Sequence, residues 1–548
     1  KMMKNIISFI LIIAVHLCNS LLAQSHFTLK DSLRGSLNPN RMYDVQFYDL
    51  HVSFDMLEKK IEGYNDIHFT CPMDLSGIQV DLFDQMNVSK ISMGKDNLNF
   101  SRSNNTIYIP HSFKKSEIYT VRIYYEGSPI EAKNPPWDGG FSWKRDEKNR
   151  FWASVSCEGI GASLWWPNKD HLSDEPDSMH IHLTVPSDLY AVSNGQLVQR
   201  ERIDGLHVTY HWSVQYPINN YNVTFYIGAY EHFQDQYLSQ ESKKLDLDYY
   251  VLDYNATIAR EHFKQVHKVL EAFEKYMGPY PFWKDGYALV EAPYLGMEHQ
   301  SAIAYGNKFQ RGYLGGRIPA EFDFDFIILH ETAHEYWGNS VSCTDLAEMW
   351  IHESFATYME NLFVEYFYGK SAALRYLQSS RQYIQNKLPI IGQFGVNDEP
   401  ADSDQYYKGA WMLQTIRQKI NNDSLWFDIL KQFYKNHEYG FASTQDFVNL
   451  LEAKTGTDYS DIVNQYLKYA NLPELEYKII QKPEYSGVSF RWKSNTKKFD
   501  LPVNFQLDKK VIRLAATTDW QTVSFGRIYQ LIEPIDSDIL ITTKLTNE

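Results

Sequence analysis

The stretch FIILHETAHEYWGNS, residues 326–340, constrains this chain more than any other. Its two histidines, His330 and His334, are four residues apart, so on a helix they project from one face and can reach a single ion. Glu331 sits one residue round, close enough to hold a water beside that ion. Zinc in a catalytic site takes three protein ligands and leaves a fourth position for water, so a third ligand must come from elsewhere. The segment EMWIHESFATYMENL supplies candidates, with Glu353 following His334 after eighteen intervening residues. A turn near GNSVSCTD would bring this second helix back beside the first. His352 lies there too, but helical neighbours point about 100° apart, so only one of the two can face the metal. Pro319 and the acidic AEFDFDF are expected to open the first helix.

A chain of 548 residues is too long for one core, and two or three domains are expected. From Tyr43 to about Tyr230, segments such as YDVQFYDLHVSFDM, KIEGYNDIHFTC and YTVRIYYEG alternate apolar and polar residues, the pattern of an antiparallel β domain with one wet face. From Asn255 the period becomes helical: NATIAREHFKQVHKVLEAFEKYMG begins on an Asn cap and ends at a glycine before Pro279. Further helices are expected at EMWIHESFATYMENLFVEYFYG, KGAWMLQTIRQKI, TQDFVNLLEAKTG and YSDIVNQYLKYA. Near Pro473 short strands return, among them LEYKII, VSFRWK, PVNFQL and ILITTK, as in a small sandwich.

The formal net charge of −15 argues against nucleic acid, whose phosphates need a basic surface, and gives no polybasic membrane patch. An acidic chain can draw in cationic groups such as peptide amines. The first residues, KMMKNIISFILIIAVHLCNSLLAQS, place lysines before a short apolar run and the small Ala23 after it. This predicts a bacterial-type secretion signal over residues 1–23 and a periplasmic or secreted protein; a membrane anchor would need a longer apolar run. His16 and Leu17 make a poor lipoprotein box before Cys18. No later segment approaches the ~18 apolar residues that cross a bilayer. Cys71, Cys157 and Cys343 are too few and too scattered for a disulfide framework or a thiolate cage, and are expected as buried small residues.

HExxH followed by eighteen residues and a glutamate resembles the aminopeptidase N family of zinc metallopeptidases, the gluzincin aminopeptidases. YLGMEHQSAIAYGN resembles the family's exopeptidase motif G-x-M-E-N, YMGPYPFWK its Y-x-G-x-P-Y-P-x-x-K stretch, and QYYKGAWML its Y-x-K-G-A helix start. The resemblance implies one Zn2+ per chain held by His330, His334 and Glu353, with Glu331 as general base. It assigns the oxyanion donor to Tyr406, two residues before Lys408, with the adjacent Tyr407 as rival. Gly296, Met297 and Glu298 would bind substrate, Glu298 pairing with a free α-ammonium. Glu158, in VSCEGIGAS, resembles the family position that holds Gln or Glu on the β domain.

Two departures stand out. The motif glycine is displaced and its Asn replaced by His299, and WIHESFA stands where many members have Asn before and Gly after the glutamate. The architecture implied is multidomain α+β: an N-terminal antiparallel β domain (24–231), a thermolysin-like, mainly helical catalytic domain (232–472) and a small C-terminal β-sandwich (473–548), a short bacterial-type member without the family's large helical C-terminal domain. The implied function is a zinc-dependent aminopeptidase acting on peptides with a free N-terminus, without nucleic acid or a membrane span. An endopeptidase or epoxide hydrolase on the same zinc site, or a non-catalytic peptide-binding protein, are the alternatives. No sequence signal bears on oligomeric state.

Overall fold

The computed structural model describes residues 27–397 and 402–546, so the expected export signal, residues 1–23, lies outside the described residues. The chain is a multidomain α+β protein with a large β-rich N-terminal part. Its main sheet has eight strands in the order Gln196–Arg202, His207–Val214, Ser178–Pro186, Asp44–Asp55, Lys60–Thr70, Ile118–Gly127, Met86–Met93 and Asp96–Asn97. Alternation decides the faces: Leu50, Val52 and Phe54 are buried while Asp49, His51 and Ser53 between them are half-exposed. The expectation of a purely antiparallel domain is corrected, because Asp44–Asp55 runs parallel to Ser178–Pro186. The long stretch of chain between these two strands can make the crossover that parallel pairing requires.

A second, five-stranded sheet supports the site, in the order Tyr230–Leu238, Lys244–Leu252, Tyr287–Glu291, Ile303–Tyr305 and Gly296–Met297. Helices Ala256–His262 and Val266–Tyr276 form the crossover between its two parallel strands Lys244–Leu252 and Tyr287–Glu291. The single helix expected from Asn255 is therefore two, separated by a tighter turn at Phe263–Gln265. Asn255 does not cap it; its amide donates to Glu291 Oε1 at 2.7 Å, a contact made by the fold rather than by the local sequence.

The HETAH helix runs Phe326–His334 and is buried nearly all round. Asp325 caps it, accepting from the backbone of Ile327 and Ile328, and Pro319 lies outside it in a loop. Arg311 holds that loop, its guanidinium donating to the carbonyls of Pro319 and Phe322. Helix Trp350–Tyr368 packs against it, buried from Trp350 through Val364.

After Pro473 two small sheets follow. One orders Gln521–Ser524, Ser486–Lys493, Glu474–Gln481 and Thr542–Leu545; the other orders Lys510–Leu514, Val503–Leu507 and Ile532–Ile535. Phe505 of the second meets Tyr477 and Phe490 of the first, with ring centroids 6.1 and 5.8 Å away. The strand expected at ILITTK begins only at Thr542, and Ile532–Ile535, interrupted by Pro534, had no strand-like alternation to reveal it. Cys71, Cys157 and Cys343 are buried and free. Among the described residues no helix is long and apolar enough to cross a membrane.

Candidate active site

His330 and His334 each spend one ring nitrogen on the protein. His330 Nδ1 lies 2.8 Å from Glu360 Oε1, and His334 Nδ1 lies 2.9 Å from the carbonyl oxygen of Trp337. Both acceptors demand a proton on Nδ1, so each Nε2 presents a bare lone pair. These two nitrogens are 3.2 Å apart, and Glu353 Oε2 stands 3.6 Å from His330 Nε2 and 3.4 Å from His334 Nε2. Glu353 Oε2 is itself buried and has no hydrogen-bond partner among the described residues. Three lone pairs converging without a proton between them call for a cation. Ligands about 2.0–2.1 Å from a tetrahedral zinc would be about 3.3 Å apart, so the donor set and its spacing fit Zn2+.

The outer contacts explain why these rings stand as they do. Glu360 lies seven residues after Glu353, on the same helix face, and its other oxygen accepts from Tyr376. Rather than being solvated, it orients a metal-facing imidazole, the usual role of such a carboxylate. The seven-residue spacing was the available signal. His352, the rival third ligand, turns away: its Nε2 accepts from the backbone of Cys343 at 2.9 Å. The short strand Val341–Cys343 thus chooses between neighbours that spacing left open.

A cleft of about 550 Å³ opens beside the three donors. Glu298 is carried into it by the edge strand Gly296–Met297 and is buried. Tyr221 donates to Glu298 Oε1 at 3.1 Å, and Asn339 donates to its backbone carbonyl at 2.7 Å. Neither had a sequence signal: one is a tyrosine among 39, and the other is fixed by a second asparagine, Asn222, from the β-rich part. Carboxylate oxygens of Glu158, Glu298 and Glu353 lie within 4.8 Å of one another, although their residues come from three distant segments. Glu335 is buried too, accepting from Tyr280 and the backbone of Ser301. Met297 is buried in the wall of the cleft.

Burial raises the Glu331 carboxyl above the usual carboxylate range, and the Glu298 charge adds to this. Gly296 lies against it, for a methyl there would fall 2.7 Å from Glu331 Oε1. Tyr406 and Tyr407 both border the cleft, but they face different neighbours. The Tyr406 ring lies 6.0 Å from that of His330, whereas Tyr407 lies 5.2 Å from Tyr383.

Residues 261–466 match the model of the peptidase family M1 domain. The chain is 22% identical over 512 residues to a probable aminopeptidase 2 of Sulfurisphaera tokodaii, covering 88% of this chain and 62% of that one. It is 23% identical over 327 residues to aminopeptidase M1 of Arabidopsis thaliana, covering 56% of this chain and 36% of that one. It therefore spans less than two thirds of the length of these curated relatives. Among solved structures, an M1 zinc metallopeptidase of Deinococcus radiodurans superposes with a TM-score of 0.65 at 20% identity, covering 78% of this chain and 94% of that one. A mutant of the same enzyme bound to Tyr-Ser-Ala superposes equally well, with a TM-score of 0.65 at 20% identity and 79% and 95% coverage. Residues 261–466, which carry His330, His334 and Glu353, thus match a peptidase family M1 domain, and the chain shares the fold of M1 zinc metallopeptidases.

Proposed function

We propose that the protein is a zinc-dependent aminopeptidase that hydrolyses the first peptide bond of chains with a free α-ammonium, and that it is exported to the periplasm or beyond. The architecture proposed is the β domain of residues 24–231, a thermolysin-like catalytic domain of 232–472 and a sandwich of 473–548. The observation that carries the reading is the meeting of Glu158, Glu298 and Glu353. Three carboxylates this close repel one another unless cations separate them. His330 and His334 assign one cation to Glu353; Glu298 faces the same cleft with Glu158 near it, and a substrate ammonium is the cation that an N-terminus brings there.

Zn2+, which His330, His334 and Glu353 would hold, supplies Lewis acidity to the scissile carbonyl and lowers the pKa of water there. Glu331 takes the proton of the attacking water and passes it to the leaving amine. Tyr406 donates to the developing oxyanion, a role supported by its ring lying 6.0 Å from that of His330. Glu298, positioned by Tyr221 and Asn339, pairs with the ammonium, and Glu158 approaches it from the β-rich part. A blocked N-terminus would leave the buried Glu298 carboxylate without its cation.

The test compares a tripeptide with its N-acetylated form, with and without chelator. Chelation should abolish turnover, and acetylation should lower kcat/KM by about 10²-fold or more. Glu298→Ala should shrink that ratio. Equal cleavage of both peptides by the unaltered protein would point to an endopeptidase and remove the exopeptidase reading.

A further inference from the structure

The outward face of the eight-stranded sheet gathers imidazoles. Register sets Asp49 beside His180, His51 beside His182, and His182 beside His211, on three adjacent strands. Side chains facing one another in such pairs are within reach. One donor atom each from Asp49, His180 and His182 lies within 4.8 Å of the others. His182 Nε2 is 2.8 Å from Asp49 Oδ1, and His51 Nε2 approaches the same oxygen at 3.2 Å. His180 is exposed, so the cluster is open to solvent.

The protons along this row do not fit together when all the rings are neutral. His182 must donate from Nε2 to the Asp49 carboxylate, so its Nδ1 accepts, and the partner 2.6 Å away is Nδ1 of His211. His211 then carries its proton on Nδ1, which leaves a bare Nε2 facing the Glu201 carboxylate at 3.3 Å. That nitrogen is buried and makes no hydrogen bond among the described residues. A cation on His182 Nε2 reverses each step: His182 donates from Nδ1 to His211, and His211 donates from Nε2 toward Glu201. A ligating imidazole whose second nitrogen is tied, directly or through a relay, to a carboxylate is how metal sites are usually supported.

We propose that Asp49, His180 and His182 form a second metal site for a divalent transition ion that accepts imidazole, such as Zn2+ or Ni2+, with His211 and Glu201 as its hydrogen-bonded support. It shares no residue with the His330 centre and does not depend on the peptidase reading.

The test uses untagged protein dialysed to equilibrium against Zn2+ and, separately, Ni2+, with bound metal counted per chain by mass spectrometry. The unaltered chain should hold one ion more than His180→Asn/His182→Asn, while both turn over peptide equally. Glu201→Gln should keep the extra ion with affinity lower by about tenfold. Equal metal content in the unaltered chain and the double variant, whether folded protein holds one ion or several, overturns the proposal. Should the double variant fail to fold, His182→Gln alone gives the same comparison. A Glu201→Gln variant with unchanged affinity overturns the supporting role of His211 and Glu201.

Discussion

Gly296 and Glu331 show how little room the candidate base has. With Gly296 backed against one oxygen and Ile327 beside it, the Glu331 carboxyl is held rather than free to swing. Replacing it by the isosteric amide keeps the packing and removes only the basicity. Glu331→Gln is expected to retain stoichiometric zinc while kcat falls by about 10²–10⁴-fold; metal analysis alongside turnover checks this. The neighbouring tyrosines separate in the same way. Tyr406→Phe should lower kcat by about 10²–10³-fold with little change in KM, as for a lost oxyanion donor, and Tyr407→Phe should not. If the two variants exchanged phenotypes in steady-state kinetics, the donor would be Tyr407. Glu331 was legible from the spacing of the histidines beside it, and Gly296 and Tyr406 through the motifs that resemble the family's. Tyr221 and Asn339 were not, since each acts through one contact from a distant segment.

At the scale of elements, the site depends on how closely helix Tyr407–Ile420 approaches helix Trp350–Tyr368. Gly409 makes that approach possible: a methyl there would lie 1.7 Å from Ser354 Oγ. The same hydroxyl donates to the carbonyl of Gln405 at 2.5 Å, so the crossing also pins the residue before Tyr406. Gly409→Ala is expected to cost about 1–3 kcal/mol by overpacking and to lower kcat by moving Tyr406. Adding Ser354→Gly should recover most of the lost thermal midpoint, and failure to do so would locate the strain elsewhere. Element type was readable where one face is wet, as in Asp44–Asp55 with its alternation. It was less readable where helices are buried all round, because Phe326–His334 has no solvent-exposed face and its start is set by Asp325 rather than by the proline upstream. The break at Phe263–Gln265 likewise has no local marker.

At the scale of the molecule, Asp285 ties the β-rich part to the catalytic part, accepting from the backbone of Gln215 at 2.9 Å. Burial pushes its carboxyl up to about 7, and the Gln215 hydrogen bond only partly opposes this. The unfolded chain loses this proton near pH 3.9, so between about pH 4 and 7 the folded state holds more protons. Stability from this group is therefore fully present at low pH and is lost as pH rises toward 7, by about 4 kcal/mol at most. Urea unfolding midpoints should fall more steeply from pH 5 to 8 in the unaltered protein than in Asp285→Asn; parallel profiles would exclude Asp285 as the cause. The sequence by itself determined the chemistry: two imidazoles four apart, a glutamate eighteen residues on, and a β–α–β order, because helical and strand periods are local properties of the chain. Only the tertiary structure decided that Glu353 and not His352 faces His330 and His334, that Glu360 steadies His330, that Glu158 joins Glu298, and that the first sheet is mixed. Those choices depend on which distant segments come within a few ångströms, and packing, not local spacing, sets that.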